Sequence, residues 1–150
     1  MVFLLSYDGY MREGKIKEIC PTAKLYMKCN LYNCCLKFRR FYETAKPSLE
    51  FGDETVPVVV WKINEADLKD MITVYPNEIY DKTNLNLEVE DEVLQVIVFL
   101  MRETEFAFPK ERELEEIEEA YDEHKFDYEC VENALDMIKD MEGKGYGTLY

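Results

Sequence analysis

The order in which two periodicities follow one another constrains this chain most. Short apolar runs of strand length fill its first two-thirds, and helical spacing takes over after residue 110. Residues 2–6 are an apolar run closed by Asp8-Gly9, a strand entering a tight turn. Residues 11–20 set Ile16 and Ile19 on one side among Lys and Glu, a short helix stopped by Pro21. Between residues 23 and 38, Leu25, Met27 and Cys29 alternate, followed by Leu31, Leu36 and Phe38, which predicts two strands or one bent strand.

Residues 47–55 hold Pro, Gly and Asp and predict a loop, whereas residues 56–61 are a fully apolar strand. Asn64 stands where an N-cap would open a helix over residues 64–71. Leu85, Leu87 and Val89 alternate with polar residues, and Asp91-Glu92 turns the chain into a hairpin partner over 93–101. Helical spacing then places Leu114, Ile117 and Tyr121 on one face of residues 110–124. It does the same for Val131, Ala134, Leu135, Ile138 and Met141 over 128–141, with Gly143, Gly145 and Gly147 expected to end that helix. Strands first and helices later predict one α+β domain over residues 1–150, a small mixed β-barrel with flanking helices.

Charge narrows the partners. The formal net charge is −14, and it divides as +4 over residues 1–50, −8 over 51–100 and −10 over 101–150. A surface this acidic repels phosphate backbones, so a nucleic-acid polymer is not an expected partner. Lys15, Lys17, Arg39 and Arg40 in the basic N-terminal third either form a local anion pocket or are solvated surface. No apolar stretch approaches membrane-spanning length, and residues 1–7 lack the basic flank and cleavage site of a signal peptide, so a cytoplasmic protein is expected.

Cys20, Cys29, Cys34, Cys35 and Cys130 contain no C-x-x-C pair, and His124 is the only histidine. That set predicts no metal centre and fits a reducing compartment, with Cys34-Cys35 as small packing residues. Gly143, Gly145 and Gly147 follow a helix instead of opening one, so they are not a nucleotide loop, and no cofactor is expected. His124 ends an acidic helix, where it complements the helix dipole more readily than it serves a catalytic triad.

Several stretches in order resemble the gamma-glutamylcyclotransferase-like superfamily. Residues 4–11 (LLSYDGYM) are similar to the family's strand ending in Tyr-Gly-Ser-Asn-Met. Cys20-Pro21-Thr22-Ala23-Lys24, Leu36-Lys37-Phe38, Gly52-Asp53-Glu54 and the run from Val56 through Trp61 to Ile63 follow in the family's order. The segment from Asp67 to Asp70, then Tyr75-Pro76-Asn77-Glu78-Ile79-Tyr80, residues 96–101 and Tyr146 complete the likeness over nearly the whole chain.

The resemblance implies a cavity that takes a gamma-glutamyl group and releases 5-oxoproline. There the substrate amine attacks its own side-chain carbonyl, helped by a glutamate base in an Asp-x-x-Glu-Gly turn. Here the base position falls on Thr73, whose hydroxyl cannot take a proton from an ammonium group, and the following glycine is Val74. The loop Tyr7-Asp8-Gly9-Tyr10 keeps only the tyrosine, and Asp8 sets negative charge where a glutamyl carboxylate would enter. Glu78 or Asp70 would have to serve as a relocated base.

Three readings follow. The first is a non-catalytic module that binds, and in one version sequesters, a small polar or nucleotide-like ligand among Tyr7, Asp8, Gly9, Tyr10, Thr73, Tyr80 and Tyr146. The second is an active cyclotransferase with a relocated carboxylate. The third is a protein-interaction module that meets a protein partner or a second copy through the acidic face of residues 111–122.

Overall fold

The computed structural model describes the backbone of residues 1–148 and the side chains of residues 1–141. The strands are β1 (Val2–Ser6), β2 (Lys24–Phe41), β3 (Thr44–Ile63), β4 (Tyr80–Val89) and β5 (Glu92–Met101), and the helices are α1 (Glu13–Ile19), α2 (Glu65–Asp70), α3 (Glu111–His124) and α4 (Glu129–Thr148). The strands make one five-stranded sheet in the order β2-β3-β1-β5-β4. Only β1 and β5 run parallel; the other pairs are antiparallel.

β1 lies at the centre, and Leu4, Leu5 and Ser6 are buried in succession, so both faces of the sheet are covered there. The fully apolar 56–61 run is the inner half of β3, with Val56, Val58, Val59, Val60 and Trp61 all buried. Each buried side chain of this size removes about 1.5–3 kcal/mol worth of apolar surface from water, which makes β1 and β3 the anchor of the fold. Asn64 caps α2 as expected, its side-chain oxygen accepting from the Asp67 amide at 2.7 Å.

Residues 47–55 are not a loop: they belong to β3. β1 pairs only with residues 59–63 of β3, so the first part of β3 has a ladder on one side alone. Proline is tolerated on such an edge because its missing N–H is not needed there. The glycine and aspartate are absorbed by a bulge, in which Cys34 opposes both Phe51 and Glu54 while Gly52 and Asp53 lie between. A Cβ at Gly52 would stand 2.7 Å from Cys35 Sγ, so this close approach requires glycine. β2 is a single strand broken in register near Tyr26 and at Asn33, which holds φ 59°.

The expected α+β architecture is present as a mixed sheet with flanking helices, and barrel describes it only loosely because the sheet does not close. β2 and β4 remain the outer strands. The segment after β5 reaches across to the far end of β2, where the Arg40 amide donates to Glu105 O and the Ala107 amide to Phe38 O. The chain also continues as helix through Gly143, Gly145 and Gly147, which do not end α4. A helical glycine costs only about 1 kcal/mol, and by itself it is a weak stop.

Candidate functional site

β1 delivers the loop that follows it to the mouth of the sheet. Asp8 caps the 3-10 turn Gly9–Met11, its Oδ1 accepting from the Tyr10 amide at 3.0 Å. Its Oδ2 accepts from the Tyr75 hydroxyl at 2.6 Å. Tyr75 stacks on Phe99 with ring centroids 4.8 Å apart and meets Tyr80 edge-on at 4.9 Å. Tyr7 donates to the Phe99 carbonyl at 2.6 Å. One buried carboxylate therefore sits inside an aromatic box.

Burial, followed by the Asp8 charge, pushes the Tyr7 and Tyr75 phenols well above their ordinary value. Tyr80 and Tyr10 are raised for the same two reasons, in the same order. All four stay neutral across the physiological range and act as hydrogen-bond donors, not as bases. A neutral phenol beside a carboxylate holds the charge in place and takes no proton from a substrate.

A cover lies over the loop. Lys15 Nζ stands 4.7 Å above the Tyr10 ring and pairs with Glu116 at 2.6 Å. Lys46 pairs with Glu113 at 3.5 Å on the same side. The space enclosed by Asp8, Gly9, Tyr10, Lys15, Lys46 and Glu113 is about 20 Å³. One water needs roughly 10–15 Å³, so the space at the loop is of the size of a water molecule.

The structure brings Asp8, Gly9 and Tyr10 together at this cavity and sets Tyr7 and Tyr80 in the core behind it. Thr73 lies apart. It is exposed in the 3-10 turn Met71–Thr73, and its hydroxyl donates to Asp70 O at 2.8 Å. Val74 has φ −108°, an ordinary right-handed conformation, so this turn has no need of glycine. Asp70 and Glu78 are exposed, and neither lines the loop cavity. Tyr146 lies outside the described side chains.

Sequence reasoning missed Tyr75, Phe99, Lys15 and Glu116 as members of this site. Tyr75 and Asp8 are 67 positions apart, and no local spacing joins them. The available signal was Asp8 itself, since a carboxylate inside an apolar strand–turn segment needs a donor from elsewhere. His124 is buried with Nε2 2.5 Å from the Met11 carbonyl, so it ties the end of α3 to the loop. On α3, Glu113, Glu116 and Glu119 are spent on Lys46, Lys15 and Arg12, which leaves Glu111, Glu115 and Glu118 facing water without an ion pair among the described residues.

Three solved structures share this architecture. A gamma-glutamyl cyclotransferase superposes with TM-score 0.77 at 17% identity, covering 89% of this chain and 85% of that one. An uncharacterized protein from Homo sapiens superposes with TM-score 0.76 at 17% identity, with the same coverage of 89% and 85%. YkqA from Bacillus subtilis superposes with TM-score 0.69 at 15% identity, covering 92% of this chain and 54% of that one. No family model matches the sequence, and no curated protein matches it. The chain has the gamma-glutamylcyclotransferase-like fold. Among the described residues no helix is long and apolar enough to cross a membrane.

Proposed function

We propose that this chain is a non-catalytic gamma-glutamylcyclotransferase-like module that holds a small polar ligand without turning it over. The observation that supports this most directly is the occupied loop. Both oxygens of the Asp8 carboxylate are already bonded within the protein, and the remaining space is about 20 Å³. A cyclotransferase needs room for a folded glutamyl chain, a free base and a support for the developing oxyanion. This loop supplies neither the room nor an unbonded Asp8 carboxylate to serve as the base. Glu113 and Glu116 reach the cavity, and each is neutralised by a lysine. A relocated base at Glu78 or Asp70 gains no support, because neither reaches the loop.

A ligand of nucleotide size would enter the 7–10 loop only if Tyr10 and the Lys15–Glu116 pair moved aside. The test is a thermal-shift screen of gamma-glutamyl compounds, amino acids and nucleotides, with each mixture analysed for product. A ligand at a hundred times its dissociation constant adds ~2.7 kcal/mol of stability. The reading expects a shift with the ligand recovered intact, and release of 5-oxoproline overturns it.

A further inference from the structure

A second cleft lies away from the 7–10 loop, between the β2–β3 ribbon and the turn joining α3 to α4. Its volume is about 530 Å³, inside the range of about 300–1,000 Å³ typical of small-molecule sites. Pro57, Phe126 and Cys130 give it an apolar part. Phe126 is a fixed wall: its ring stacks against His124 with centroids 5.4 Å apart and meets Tyr121 edge-on at 5.8 Å. The Phe126 amide donates to Tyr121 O at 2.9 Å, and Lys125 before it holds φ 59°, so the turn has one defined shape.

Four charges stand in this cleft: Lys28 from the outer strand β2, Lys125 from the end of α3, Asp127 from the following turn, where its Oδ1 accepts from the Glu129 amide at 2.7 Å, and Glu129 from the first position of α4. None of the four makes an ion pair among the described residues. Two cations and two anions therefore line one cleft without forming an ion pair with one another. A ligand that carries both signs and an apolar body satisfies them together, whereas a polyanion would meet Asp127 and Glu129.

From this arrangement we infer that the cleft, and not the 7–10 loop, seats the ligand, and that the ligand is a zwitterion of amino-acid or dipeptide size with an aromatic or branched apolar side chain. This inference rests on the reading of the chain as a ligand-binding module and names the site and the ligand class. The carboxylate of the ligand meets Lys28 and Lys125, its ammonium meets Asp127 and Glu129, and its side chain packs on Phe126 and Pro57.

The test is a titration of the full ¹⁵N-labelled chain, followed by amide chemical shifts. The probes are phenylalanine, leucine and leucyl-phenylalanine, with 3-phenylpropionate and phenethylamine as single-charge controls. At least one zwitterion is expected to shift the amides of Cys29, Asn30, Phe126 and Asp127 saturably at millimolar concentration. Each control lacks one of the two charged groups and should bind at least about tenfold more weakly. Lys28→Glu and Lys125→Glu change exposed side chains and should weaken binding at least as much, with the remaining amides unmoved. No saturable shift from any zwitterion, controls that bind equally well, or shifts confined to Gly9 and Tyr10 would each overturn the assignment. Release of 5-oxoproline from a gamma-glutamyl amino acid, assayed separately with the same protein, sinks the non-catalytic reading and leaves the cleft untouched, so the two failures are distinguishable.

Discussion

The Tyr75 hydroxyl and the Asp8 carboxylate meet at 2.6 Å in the interior, joining the turn after α2 to the loop after β1. That bond puts an anion of the protein's own into the loop, with the Tyr10 amide on its other oxygen. The neighbouring phenols are held neutral by burial and by this same charge. The loop is therefore organised around the Asp8 side chain and its two hydrogen bonds.

Removing that carboxylate leaves a buried phenol and a buried amide without an acceptor. Asp8→Ala should cost about 1–3 kcal/mol, read from denaturant or thermal unfolding. Asp8→Asn keeps an acceptor for the Tyr75 hydroxyl and should cost clearly less. Equal losses in the two variants would mean that the Tyr75 bond contributes little.

Thiol reactivity should follow burial. Cys20, Cys34, Cys35 and Cys130 are buried, and Cys29 is half-buried on the outer strand. Burial pushes all of these thiols up, Cys34 to about 11 and Cys20 to about 12. In the native protein a thiol reagent near neutral pH should label Cys29 first and the rest only on unfolding. Rapid labelling of Cys20 or Cys34 would contradict the packing described.

Stability should be flat across neutral pH and fall on both sides. Cys34 and Cys20 titrate in the fold at about 11 and about 12, above the ordinary 9.0. Their contribution is complete below about pH 9 and is lost as pH climbs through 11 and 12. On the acid side, burial alone would raise the Glu50 carboxyl, yet the Arg39 hydrogen bonds reverse this and hold it below the usual 4.5. Glu50 therefore contributes fully above about pH 4.5, and the contribution disappears as pH falls through its lowered value. Unfolding followed from pH 3 to 11 checks both limbs, and Glu50→Gln should blunt the acid limb alone.

Lys125 ends α3 in the left-handed region, at φ 59°, where glycine is free of the Cβ penalty. Lys125→Gly should raise stability by up to about 1 kcal/mol, or about 2–4 °C in Tm for a chain of this length. The same substitution removes a cleft cation, so it should stabilise the fold while weakening zwitterion binding. A variant that loses stability would mean that the lysine side chain makes a contact worth more than the relieved strain.

Local rules reached some elements and stopped at others for physical reasons. The β1 strand, the Asn64 cap and the buried stripe of Ile117 and Tyr121 follow from periodicity and capping over a few residues. The 47–55 segment misled because Pro47 and Gly52 are breakers only in a strand paired on both sides, and pairing partners are not local information. Tyr7, Asp8, Gly9 and Tyr10 were legible as a loop with altered chemistry. That Tyr75 closes it was not, since the contact depends on the whole sheet bringing residues 8 and 75 together. The family's spacing points to Thr73, whose exposed position and bond to Asp70 O depend on how the 71–73 turn folds, which no local spacing encodes.

A loop after β1 that is filled by the protein's own side chains should perform no cyclisation. The most direct measurement is 5-oxoproline release from gamma-glutamyl amino acids and gamma-glutamyl amines, quantified by chromatography against a protein-free blank. Release no faster than the blank is expected at every substrate concentration. Saturable release that disappears in Glu78→Gln or Asp70→Asn, with folding intact, would contradict it and place the base outside the closed loop.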